Sequence, residues 1–205
     1  MPQFLQRACV LAVALATPAF AFAPGAVSKA EVLAAIRTFE ANATENLTAS
    51  KPDTQIDQAL AAASATIVRF ALESDDVVVD LGADAVPWCD LRKGIAGVSS
   101  AGGRGLLLAA YLSGGVKAQL RSGKQDPSPY PGWVEMLRVY RVAKMREGTV
   151  IPEVEALLAR QMNGSLKAYA ADAELRSLEA LRRTYGDGRS VAQARAEPGG
   201  LASQP

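Results

Sequence analysis

The stretch Ser99-Ser100-Ala101-Gly102-Gly103-Arg104-Gly105-Leu106-Leu107-Leu108-Ala109-Ala110-Tyr111-Leu112-Ser113-Gly114-Gly115-Val116-Lys117-Ala118-Gln119-Leu120-Arg121-Ser122-Gly123 lies near the middle of the chain. Glycines and small residues open it. An apolar run follows, yields briefly at Gly114-Gly115, and resumes. Apolar residues recur at helical intervals across that yield, so the spacing predicts one helix at the centre of an all-helical domain.

Two readings compete for its glycines. Free amides at a helix N-terminus can hold an anion, with Arg104 assisting. A phosphate loop, however, needs Gly-x-x-x-x-Gly-Lys-Ser/Thr, and no lysine or hydroxyl occupies that register here. Packing accounts for the glycines better. Gly105, Ala109 and Ser113 form one row of small residues, and Ala110, Gly114 and Ala118 another. Rows spaced by four let a neighbouring helix approach closely. An interior glycine costs about 1 kcal/mol against alanine, so close approach is the expected compensation for both Gly114 and Gly115.

Upstream, Ser28-Lys29-Ala30-Glu31 is a capping box, with Val27 and Val32 at the two positions of a hydrophobic staple. Val32, Leu33, Ile36, Phe39, Ala43 and Leu47 follow at helical spacing and predict a helix over 29–47. Lys51-Pro52-Asp53 breaks it, and Asp53 can cap a second helix with a narrow seam of Ile56, Leu60, Ala63, Ile67 and Phe70. Val77-Val78-Val79-Asp80-Leu81 is the only strand-like run after the N-terminal segment. A single strand has no partner, so the expectation is an extended, buried connection rather than a sheet.

Downstream, Asp126-Pro127-Ser128-Pro129-Tyr130-Pro131-Gly132 reads as a stiff extended link. Trp133 is then expected to start a helix that places Leu137, Tyr140 and Lys144 on one stripe and ends at Gly148. Pro152, at a first helical position, opens the next, with Val154, Leu157, Leu158 and Met162 inward. After Asn163-Gly164, Ser165 caps a last helix carried by Leu166, Tyr169, Ala173, Leu178, Leu181 and Tyr185. The predicted fold is a single-domain all-α bundle of about six helices over 28–186, with one irregular extended crossover at 75–98. Residues 22–27 form a short lead, and 187–205 a disordered tail.

The first 21 residues read as a targeting signal. One arginine precedes an apolar run from Ala8 to Ala16, which is too short to span a bilayer. Ala19-Phe20-Ala21 supplies the small residues of a cleavage site. The expected product is soluble, periplasmic or secreted, and without a stable membrane anchor.

Net charge is +1, which gives no electrostatic case for nucleic acid. Histidine is absent, and with it the usual neutral-pH acid–base group and the commonest metal ligand. Of two cysteines, Cys9 lies in the signal and Cys89 in the crossover. Asp75, Asp76, Asp80, Asp84 and Asp90 do not follow a calcium-loop pattern, so no metal or other cofactor is expected. Asn42, Asn46 and Asn163 begin glycosylation sequons.

Two local resemblances bear on function. Val79-Asp80-Leu81-Gly82-Ala83 followed by Trp88-Cys89 resembles the strand-to-cysteine entry of thioredoxin-like proteins, which would imply redox exchange. That chemistry needs a second thiol three positions on, where Arg92 stands. Trp133-x-x-Met136-Leu137-x-x-Tyr140 resembles the first helix of a tetratricopeptide unit, which would imply a peptide-binding repeat. The repeat wants a small residue at Leu137 and further copies at its own period, and neither is present. A plain helical hairpin remains.

The leading expectation is an exported helical binding or interaction protein without intrinsic catalysis. Its ligand is an unknown protein or a small apolar molecule, held in a groove beside the central helix lined by Tyr111, Trp133 and Tyr140, with Arg104 as a further ligand-binding candidate. The competing expectation is an enzyme using carboxylates or Cys89, where Asp90 and Arg92 would adjust the thiol. A structural role in the cell envelope comes third.

Overall fold

A computed structural model of the chain describes residues 26–48, 54–89, 103–148 and 150–185. The signal, the Asp53 cap, Asp90, Arg92, most of the glycine-rich entry and the tail lie outside these residues, as do the side chains of Leu47, Ile56, Leu181 and Tyr185. The described residues form six helices and no strand: α1 (Lys29–Thr48), α2 (Thr54–Glu73), α3 (Arg104–Ser122), α4 (Tyr130–Glu147), α5 (Pro152–Met162) and α6 (Leu166–Tyr185). The fold is all-α; after α2, residues 77–81 have no regular secondary structure and residues 82–88 form turns.

Helix α1 starts where its cap dictates. Glu31 N–H donates to Ser28 Oγ at 3.2 Å, and Ser28 N–H donates to Glu31 Oε2 at 2.7 Å. Val32, Ile36, Phe39 and Ala43 then turn one stripe into the core, against Ala63, Ile67 and Phe70 of α2. These two helices make one hairpin and α3 with α4 the other, and α3 also packs on both α1 and α2. Every residue from Leu107 to Gly114 is buried, as a helix enclosed on all sides requires.

The α3–α4 crossing is the tightest contact. A Cβ placed on Gly114 would lie 2.4 Å from the Pro131 carbonyl oxygen, and one on Gly132 would lie 2.4 Å from Tyr111 Cδ2. The backbones therefore meet at two reciprocal points that tolerate no side chain. Gly115 differs, because a Cβ there meets nothing within 4 Å. The compensation expected for both glycines exists only for Gly114.

The crossover solves a backbone problem. Residues 77–81 belong to no helix or strand and Val77 is buried, and no strand among the described residues flanks them. Buried backbone groups still need partners, and side chains of α3 and α4 supply them. Gln119 accepts from Val78 N–H at 2.9 Å and donates to Val78 C=O at 2.8 Å, as a neighbouring strand would. Tyr111 Oη donates to Asp80 C=O at 2.8 Å, Trp133 Nε1 to Ala85 C=O at 2.6 Å, and Arg104 Nη1 to Trp88 C=O at 3.0 Å. Residue numbers along α3 fall as those of the crossover rise, so the segment runs antiparallel to α3.

Three expectations need correction. Helix α4 begins at Tyr130 rather than Trp133, because Pro131 occupies the first turn, where its missing N–H has no helical partner to lose. Met162 is 78% exposed rather than inward. It ends the short helix α5 beside Gln161, whose carboxamide accepts from Arg141 at 2.7 Å, so that turn lies along a polar edge. Leu178 is exposed because the inward row of α6 runs through Leu166, Ala170 and Ala173 to Ser177, whose hydroxyl donates to Asp80 Oδ2 at 2.6 Å.

Chemical denaturation should separate the paired glycines. Gly114→Ala is expected to lose about 1–3 kcal/mol by overpacking, whereas Gly115→Ala should gain up to about 1 kcal/mol from helix propensity. Equal effects of the two would remove the close-approach account. Gln119→Leu leaves Val78 N–H, Val78 C=O and Asp126 N–H without their partner. A loss of at least about 2 kcal/mol is expected, and a midpoint like that of the parent would refute the bracing role.

Candidate functional site

The three rings expected to line a groove are core residues instead. Trp133 is 0%, Tyr140 1% and Tyr111 3% exposed. Each has an apolar body in the core and a polar tip on a fixed acceptor. Trp133 and Tyr111 hold the crossover, and Tyr140 Oη donates to Glu155 Oε1 at 2.5 Å while accepting from Ile151 N–H at 3.1 Å. Burial, with the negative charge of Asp80 beside it, raises the Tyr111 phenol above its ordinary value. Burial and the bond to Glu155 raise Tyr140. Both phenols are neutral at physiological pH. Tyr111 also packs edge-on against Trp88, while Trp133 stacks on Tyr169 with Arg160 over that ring's centroid at 3.9 Å.

Cys89 is 4% exposed, beside the fully buried Trp88. Burial pushes its thiol up to about 12, and the nearby Arg104 charge offsets this only in part. A thiol held neutral is a poor nucleophile. Arg104 itself engages the Trp88 carbonyl, so it acts as a brace for the loop before α3.

The described carboxylates are dispersed. Among the described residues no three of His, Cys, Asp and Glu are placed to hold a metal ion. Asp80 binds Gly82 N–H at 2.7 Å and the Ser177 hydroxyl, and Asp84 pairs with Arg176 at 3.5 Å. Lys144 and the Tyr140 hydroxyl both bond Glu155, and the Lys144 contact contributes most to holding its carboxyl below the usual range. That group is ionised at neutral pH and unsuited to act as a general acid.

A concave feature does lie beside the central helix, on another face. A crevice of about 310 Å³ opens along the α3–α4 crossing, lined by Gly114, Lys117, Ala118, Arg121, Tyr130, Pro131, Val134 and Glu135. It borders the close contact at Gly114 and extends along Ala118, whose methyl group is the only side chain that position adds to the lining. Lys117 is paired with Glu40 of α1, and Glu135 with Arg138 at 2.6 Å. The sequence signal for this site was the small-residue row Ala110-Gly114-Ala118, which reads first as packing and only then as a recess.

Comparison of the chain with protein families, with characterised proteins and with solved structures finds no match.

Thiol labelling tests the placement of Cys89. Burial raises the thiol well above its ordinary value and so leaves little thiolate at neutral pH, which slows alkylation strongly. The native chain lacking residues 1–21 should resist a thiol reagent near pH 7.5 and react promptly once unfolded. Fast native labelling would place the sulfur at the surface.

Proposed function

We propose that the chain is an exported, soluble helical binding or interaction module without intrinsic catalysis, which takes a protein partner or a small apolar ligand in the α3–α4 crevice. The crevice carries this reading. It is a shallow, open recess in which the apolar Gly114, Ala118, Pro131 and Val134 lie beside the polar Lys117, Arg121, Tyr130 and Glu135, the mixture of groups that binding sites use. Its walls are α3 and α4, whose close contact at Gly114 and Gly132 holds the two helices in fixed relation.

The dispersal of the carboxylates and the neutral state of Cys89 favour binding over the enzyme alternative. Export rests on the first 21 residues, with the apolar run from Ala8 to Ala16 and the Ala19-Phe20-Ala21 site. No helix among the described residues is long and apolar enough to cross a membrane.

Purification of the chain from its own cell envelope, beside an Ala118→Trp variant that fills the crevice, tests the reading. The parent chain should carry a protein or small molecule, detected by native mass spectrometry, that the variant does not, while both melt alike. Identical cargo on the two proteins, or none on either, would refute the crevice as a binding site. N-terminal sequencing of the same material should begin at Phe22, and a product beginning at Met1 would refute export by cleavage.

A further inference from the structure

We infer that the occupant of the α3–α4 crevice is a small monocarboxylate with an extended apolar body; the inference rests on the reading of the crevice as a binding site. Its chemistry follows from which lining groups are already engaged. Lys117 is neutralised by Glu40, and Glu135 by Arg138. Two donors remain. Neither the Arg121 guanidinium nor the Tyr130 hydroxyl makes a hydrogen bond or ion pair to another described residue, and both line the crevice.

One unpaired cation and one phenolic donor beside an apolar floor complement a single carboxylate. The guanidinium offers a planar pair of N–H groups matched to both carboxylate oxygens. A dianion would bring a second charge with no free cation among the lining residues to meet it. The rest of the occupant must be apolar, because Gly114, Ala118, Pro131 and Val134 offer no side-chain donor or acceptor.

Size separates a small molecule from a protein segment. A stable protein interface buries about 800 Å² on each partner around an apolar centre. Of the six large hydrophobic side chains exposed among the described residues, only Val134 borders the crevice. Met145, Val150, Met162, Leu175 and Leu178 belong to other parts of the surface. A recess of about 310 Å³ is instead at the small end of ligand-site volumes, which run from ~300 to ~1,000 Å³.

Titration of the isotope-labelled chain with sodium octanoate, below its micellar concentration, tests the assignment by amide NMR. Octan-1-ol and octylammonium are the controls. Octanoate should shift the amides of Gly114, Ala118 and Val134 saturably, and octylammonium should not. Arg121→Gln should weaken octanoate binding about tenfold or more, and Tyr130→Phe less. Hexanoate, two methylenes shorter, should bind about 15-fold more weakly, at about fourfold for each methylene. If octan-1-ol matches octanoate at these amides, the carboxylate assignment is overturned while the crevice remains a binding site. If none of the three probes shifts them, the inference also fails, and the Ala118→Trp comparison alone decides the wider reading.

Discussion

Gln119 lies where a backbone segment outside any described helix or strand meets a helix. Its carboxamide accepts from Val78 N–H and donates to Val78 C=O, and its oxygen also accepts from Asp126 N–H at 3.2 Å. One side chain thus fixes the crossover to α3 and the α3–α4 connection to both. At 4% exposure it works in a setting where an unpaired amide costs about 1–3 kcal/mol. The remainder of the crossover follows the same logic through Tyr111, Trp133 and Arg104. Four side chains replace the ladder that a second strand would provide, and they allow one β-branched segment to cross a helical bundle.

This arrangement constrains α4 as well. Trp133 reaches the Ala85 carbonyl only if α4 lies close to the crossover, and α4 also touches α3 through Gly114 and Gly132. Glycine at those two points lets Pro131 and Tyr111 approach within distances that no Cβ permits. The crevice lies along the same crossing, with Gly114 and Pro131 in its lining.

Much of this order is legible in the sequence because it is local. The Ser28–Glu31 box, Pro152 at a first turn and Gly148 at a helix end each act within a few residues, and the helices begin or end there. The failures are also physical. Periodicity gives the direction of a stripe but neither its width nor its length, so it extends the apolar rows of α5 and α6 to Met162 and Leu178, beyond the end of the core. Three alternating prolines suggest an extended link, yet Pro131 sits in the first turn of α4, where a proline breaks nothing. Gly114 and Gly115 are adjacent in sequence, but successive helical residues point about 100° apart, so only Gly114 faces α4.

The aromatic residues carry the most instructive error. Tyr111, Trp133 and Tyr140 suggested a ligand groove because rings with polar tips are common in binding sites. The same amphipathic character suits a ring to a core that contains irregular backbone, where its tip can satisfy a buried carbonyl or carboxylate. Which use applies depends on whether unpaired backbone lies nearby. Here the sequence did contain that signal, in a lone β-branched run, Val77-Val78-Val79, without a second strand to pair with it. A solitary strand in a helical protein requires donors and acceptors from elsewhere, and Gln119, Tyr111 and Trp133 are the groups long enough and polar enough to provide them. Aromatic residues beside such a segment should first be weighed as its partners.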